Sequence, residues 1–94
     1  MGHFVYILYS TKADRYYVGE TCNLEERLKM HNSGFFKGSF TKQANDWNIV
    51  FSLECNDINI ARRIELYIKK MKSRKYIENL IHSPDIIKSQ FENF

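Results

Sequence analysis

The sequence predicts an α/β chain of the α+β kind: a small, three-stranded, mainly antiparallel sheet flanked by helices, in the order β-β-α-β-α-α-α. Three observations predict it. Two segments of strand composition, "FVYILYS" and "YYVG", are separated by a short polar turn, a third segment, "WNIVFSLEC", alternates apolar and polar residues, and helical spacing dominates the C-terminal part of the chain.

Residues 4–10 are rich in β-branched and aromatic side chains, "TKADR" supplies the turn, and residues 16–19 resume the same composition, which reads as a hairpin. Asn23 followed three positions on by Glu26 is a capping-box pattern, and Leu24, Leu28 and His31 mark one face of a short helix to about Asn32. "NSGFFKGSF", with two glycines, ends it as a loop. Residues 47–55 form the third strand, and "ND" at 56 and 57 caps a long helix with a buried stripe of Ile60, Ala61, Ile64, Tyr67, Ile68 and Met71. Ser73, and Ser83 followed by Pro84, open two further helices, with Ile77, Leu80, Ile81 and then Ile86, Ile87 and Phe91 as apolar contacts. No repeat, low-complexity tract or linker interrupts the pattern, so residues 1–94 are expected to form one domain, with 83–94 as a C-terminal helix.

A chain of 94 residues has room for one modest core, and 44% hydrophobic with 15% aromatic content supports a folded globule. No apolar run approaches the roughly 18 residues of a spanning helix, and the N-terminus lacks a signal-peptide pattern, so the expectation is a soluble cytoplasmic chain without a membrane partner. Cys22 and Cys55 have neither disulfide-framework density nor metal-ligand spacing and read as reduced thiols. The net charge of +3 is a mild bias, but "KKMKSRK", 69–75, holds five cations in seven positions and no acid. That run is either a solvated face or a phosphate-backbone contact through Lys69, Lys70, Lys72, Arg74 and Lys75, marked by steep salt dependence.

The stretch "YYVGE", 16–20, raises the question of function. A phenol costs free energy to bury unless its hydroxyl finds a partner, and a glycine weakens a strand interior unless something approaches the backbone there. Tyr17 and Gly19 are therefore either packing or chemistry, while Tyr16 points the other way and reads as packing. Tyr6 and Tyr17, eleven residues apart on paired strands, either face each other or lie diagonal on one sheet face. Arg27 and His31, four apart, share the helical face that carries Leu24 and Leu28, and Glu65 lies at the edge of the long helix's apolar stripe. Each has a plain structural reading: a core tyrosine, a snorkelling arginine, a histidine at a helix C-terminus, a Glu65–Arg62 surface pair. Lys37, Ser39, Thr41 and Lys42 in the loop are donors suited to phosphate oxygens, as polar loops often are.

Taken as an ordered set these residues resemble the GIY-YIG nuclease superfamily, and within it the small single-domain bacterial members of UPF0213 type, similar to the nuclease domain of the structure-selective nuclease Slx-one. "FVY" at 4–6 stands where the family has Gly-Ile-Tyr and "YVG" at 17–19 where it has Tyr-Ile-Gly; "NLEERLKMHNSG" looks like its arginine-bearing helix, and "ARRIELYIKKMKSRKYIENLI" like its metal-glutamate helix with a basic continuation. The resemblance covers about residues 3–82. Glu20 departs from the lysine of excision-repair members, and the asparagine that some members carry after the glutamate has no clear counterpart.

The resemblance implies a metal-dependent DNA endonuclease that hydrolyses phosphodiester bonds, with DNA repair or recombination as its setting. Tyr6 would be the general base for the attacking water, Tyr17 and His31 would tune or relay its proton, Arg27 would stabilise the phosphorane-like charge, and Glu65 would hold Mg²⁺ or Mn²⁺. Gly19 would let a phosphate or the first helix come close, and branched or single-stranded DNA is the expected partner, with a protein partner as a source of specificity. The phenol is the difficult member, because about one tyrosine in a thousand is ionised at pH 7, a cost of roughly 4 kcal/mol. Arg27, the metal and a hydrogen bond from His31 or Tyr17 would each favour phenolate; alternatively the phenol only orients the water. Two other classes stay open: a DNA-binding module without hydrolysis, and a protein-interaction domain that docks through "SQFENF".

Overall fold

Strand order β2-β1-β3 puts the most apolar strand in the middle, antiparallel to both neighbours. The computed structural model describes residues 2–34 and 44–91, which run β1 (His3–Ser10), β2 (Arg15–Thr21), α1 (Leu24–Ser33), β3 (Trp47–Cys55), α2 (Ile58–Met71), α3 (Arg74–His82) and α4 (Asp85–Gln90). Val5, Tyr6, Ile7 and Leu8 are all buried, as a strand covered on both faces requires, and this is why its sequence is a continuous apolar run. One face carries Val5 and Ile7 with Val18 and Phe51 against Ala61, Ile64 and Ile68 of α2, with Leu80 and Ile87 closing the layer. The other carries Tyr6 and Leu8 with Trp47, packed by Leu24 and Leu28 of α1.

The alternation of β3 conceals a change of face. Ile7 pairs with Phe51 but Leu8 pairs with Ile49, so Val50 is an inserted residue. Ile49 then joins the α1 layer and Phe51 the α2 layer, although strict alternation puts them together.

Local chemistry fixes the ends of the elements. The hairpin turns through Asp14 at φ 52, whose N–H donates to the Ser10 carbonyl at 2.7 Å. Ser10 donates to the Asp46 carboxylate, which also accepts the Lys12 N–H at 3.0 Å; the two donors hold that carboxyl below its usual range and tie the turn to the approach of β3. Asn23 caps α1 by accepting the Glu26 N–H at 3.1 Å, and Gly34 ends it in the left-handed region at φ 76. Asp57 and Ser73 cap α2 and α3 through the N–H groups of Ile60 and Tyr76. Ser83, by contrast, belongs to the end of α3, where its N–H meets the Asn79 carbonyl, and α4 starts after Pro84 without a side-chain cap. The tail's Phe91 packs edge-on against Tyr67, at 5.5 Å between ring centroids, and so belongs to the core layer; residues 92–94 of "SQFENF" lie outside the described residues. Among the described residues no helix is long and apolar enough to cross a membrane.

Asn32 joins the two halves of the α1 layer. Its amide donates to the Trp47 carbonyl at 3.0 Å and accepts the Trp47 N–H at 2.7 Å, so the last turn of α1 is held to the first residue of β3. Asn32→Ala is expected to lower the unfolding free energy by about 2 kcal/mol, about one for each bond, read as a lower urea midpoint by circular dichroism. Asn32→Asp, which keeps the acceptor and loses the donor, should fall between the two; an unchanged midpoint in both would show that the clasp contributes nothing.

Candidate active site

Tyr6 stands on the α1 face of β1 and is 2% exposed. Its hydroxyl lies 2.9 Å from Nε2 of His31, itself buried in the last turn of α1. Opposite Tyr6 in the ladder is Gly19, where a Cβ would sit 2.6 Å from the Tyr6 hydroxyl and 2.7 Å from its ring carbon. The close approach expected at this glycine is made, within the protein, by the Tyr6 phenol.

Tyr17 pairs with Leu8, two positions from Gly19, which settles the diagonal arrangement over the facing one. Its ring centroid is 6.3 Å from that of Tyr6 and 4.8 Å from that of His31. Arg27 lies one turn before His31 on α1, and its charge acts on both Tyr6 and His31. Glu65 reaches the site from α2, across the edge of β2. Its side chain is 16% exposed and accepts Nζ of Lys69 at 2.6 Å, while that ammonium also stands 5.9 Å from the Tyr17 ring centre. The carboxylate acts on Tyr6 as well, opposing its ionisation.

Electrostatics separate this cluster from the expected one. Burial, reinforced by Tyr17, holds the Tyr6 phenol well above its ordinary range, and the pull of Arg27 in the other direction does not offset it. Of the groups expected to favour phenolate, Arg27 lowers the phenol and Tyr17 raises it, and burial outweighs Arg27; the share expected of the metal would come on top of this. Burial, followed by the Arg27 charge, takes the His31 imidazole from its ordinary 6.5 down to about 4. At neutral pH His31 is uncharged, so it is not a cationic partner of the helix dipole. A neutral phenol and a neutral imidazole share the buried hydrogen bond.

The other expected residues divide. The surface pair assumed for Glu65 is made with Lys69, whereas Arg62 approaches Glu20 at 3.9 Å; Glu20 also meets His3 on the opposite sheet face. The i,i+4 spacing of Glu65 and Lys69 was the available signal for Lys69. The basic run is not one continuous face. α2 ends at Met71, Lys72 takes the left-handed region at φ 47, and Ser73 starts α3. Arg74 pairs with Asp14 at 2.6 Å and Glu78 at 3.3 Å, over the Tyr16 ring. Lys70 and Lys75 are exposed. Lys37, Ser39, Thr41 and Lys42 lie outside the described residues.

For a divalent ion, the described residues contain no group of three or more His, Cys, Asp or Glu side chains. Glu65 alone suits a hard cation that retains water and takes substrate phosphate oxygens, and the Lys69 ammonium on its carboxylate stands where a positive charge is favoured.

The family model described as the GIY-YIG catalytic domain matches residues 2–77. The chain belongs to the GIY-YIG family. It is a small member of this nuclease-type superfamily, and its relatives are also small. The UPF0213 protein YazA of Bacillus subtilis is 32% identical over 89 residues, covering 90% of this chain and 87% of its own. The UPF0213 protein CPE1444 of Clostridium perfringens is 32% identical, with 96% and 94% covered. The solution structure of the UPF0213 protein BH0048 from Bacillus halodurans superimposes with a TM-score of 0.54 at 29% identity, over 87% of this chain and 84% of that one. Within the matched range, Tyr6 and Tyr17 share one sheet face, and both rings lie against His31.

The depressed His31 fixes an acid-sensitive window. Its folded value of about 4 lies below the unfolded 6.5, so as pH falls the unfolded chain binds the proton first. The stability is complete above 6.5 and is lost as pH falls toward 4, by about 3 kcal/mol in all. Denaturant midpoints from pH 7.5 to about 4 should fall more steeply in the parent than in His31→Gln. Parallel profiles would place the histidine in water.

Proposed function

We propose that this GIY-YIG chain is a divalent-metal-dependent endonuclease that hydrolyses DNA phosphodiesters. The observation that carries the reading is the buried Tyr6–His31 hydrogen bond at 2.9 Å, set beside Arg27 and within the electrostatic reach of Glu65. A packing tyrosine needs only some acceptor for its hydroxyl. This one has an uncharged base as partner and a cation next to both.

A free phenolate is a poor intermediate here, since even an ordinary phenol costs roughly 4 kcal/mol to ionise at pH 7 and burial adds to it. A relay avoids that state. The attacking water gives a proton to the Tyr6 oxygen while the Tyr6 O–H gives its own to Nε2 of His31, leaving hydroxide character at phosphorus, a neutral phenol and an imidazolium. Arg27 opposes that imidazolium in the free protein, but a phosphate bound on the guanidinium offsets its charge and makes His31 a better acceptor. The same guanidinium offers its planar fork to the charge that grows on the phosphoryl oxygens. Tyr17, whose ring lies tilted against both, keeps the imidazole facing the phenol. Glu65 would hold Mg²⁺ or Mn²⁺ in place of its Lys69 contact, and the ion would supply Lewis-acid stabilisation of the leaving oxygen.

The test is a cleavage panel of branched, flap, single-stranded and duplex DNA with Mg²⁺ or Mn²⁺. Tyr6→Phe and Glu65→Ala should each reduce cleavage by about a hundredfold or more while retaining DNA binding and the parent's circular dichroism. Parent-like cleavage by both would remove the site assignment. Binding without cleavage by the parent on every substrate would leave the non-catalytic DNA-binding module instead.

A further inference from the structure

We propose that the groove on the outer side of β2 seats one unpaired nucleobase of a DNA strand, on a nucleotide adjoining the phosphate handled by the Tyr6 cluster; this rests on the nuclease reading above. The hollow, about 310 Å³, lies where the α2–α3 junction meets the edge strand. Ile68 and Ile77 line it, Tyr16 and Tyr17 supply aromatic surface, and Lys69 and Lys72 supply cations. Its volume is at the small end of ligand sites.

The chemistry selects the occupant. Apolar and aromatic lining favours a planar ring with a sequence-neutral π face, and the Lys72 ammonium beside it, joined by Lys69 once its Glu65 contact is exchanged for a metal ion, favours an anion bonded to that ring. A nucleotide has both parts, a duplex offers only base edges, and a purely apolar partner has no use for the lysines. Tyr17 belongs to this hollow and to the His31 cluster alike, and Lys69 joins it to Glu65 at 2.6 Å, so an occupant here is continuous with the candidate active site.

Lys72 gives a second, independent argument. It ends α2 in the left-handed region at φ 47, a position where glycine is the favoured residue because it has no Cβ. A lysine there carries a backbone cost that glycine would not, and its side chain lines the groove.

The experiment uses the full chain and the cleavage-defective Glu65→Ala variant with single-stranded DNA. One fluorescent adenine analogue, and separately one abasic site, is moved along the strand. The expected result is a single position at which the analogue's fluorescence changes and loss of the base weakens binding roughly tenfold. Lys72→Gly should lose that position dependence while melting at or above the parent's temperature, which separates the loss from unfolding. Ile77→Trp, which fills the hollow, should lose it too. Equal affinity for every abasic position in Glu65→Ala, or position dependence retained by Lys72→Gly and Ile77→Trp, overturns the proposal. Position-dependent binding by a parent that cleaves nothing overturns the nuclease reading and supports the seat, whereas cleavage without position dependence does the reverse.

Discussion

A phenol on the central strand needs a hydrogen-bond partner inside the protein, because β1 is covered on both faces and Tyr6 is almost wholly buried. His31 supplies that partner at 2.9 Å, and much of the α1 layer depends on it. The imidazole has to arrive in the last turn of a helix that crosses the hairpin. The next residue, Asn32, then clasps the backbone of Trp47 and seats the start of β3. Across the ladder, Gly19 has to lack a side chain, since a Cβ would meet the phenol at 2.6 Å. Tyr6, Gly19, His31 and Asn32 therefore form one packing solution in which each identity constrains the next.

The same dryness that makes the hydrogen bond necessary sets the protonation states. Burial pushes the phenol up and the imidazole down, so both are neutral, while Arg27 acts on both and Glu65 opposes the phenol's ionisation from the other side of β2. An uncharged acid–base pair between a cation and a carboxylate is held away from proton transfer in the free protein. It is altered by an anion at the cation or by a metal ion at the carboxylate. Phosphodiester and divalent ion are the two species that a nuclease of this family would bring, so the resting electrostatics and the proposed chemistry agree in direction.

Much of this was legible in the sequence because it rests on short-range rules. The hairpin, the caps at Asn23, Asp57 and Ser73, and the order of elements derive from residue type and spacing. The convergence of Tyr6, Tyr17 and His31 results once the hairpin pairs. What spacing could not reveal depends on burial or on one inserted residue. The bulge at Val50 is hidden, because Ile49, Phe51 and Leu53 alternate perfectly while their chain changes face between Ile49 and Phe51. The shift of Tyr6 away from phenolate depends on how dry its surroundings are, which the identities of neighbouring charges do not convey. Glu65 had cations at both i−3 and i+4, and periodicity alone did not choose Lys69.

The basic run shows how a linear charge pattern changes meaning when it folds. On one uninterrupted helix, five cations would spread around its surface and attract any polyanion. The left-handed turn at Lys72 divides them instead. Lys69 turns back to Glu65, Arg74 is held by Asp14 and Glu78, and Lys72 is left at the junction beside a hollow floored by isoleucines. Charges already paired within the protein contribute less further counterion release, so the DNA binding proposed above should show a shallower salt dependence than five free cations imply. The run therefore acts less as an undirected electrostatic patch than as the rim and scaffold of a shaped surface beside the tyrosine and histidine rings.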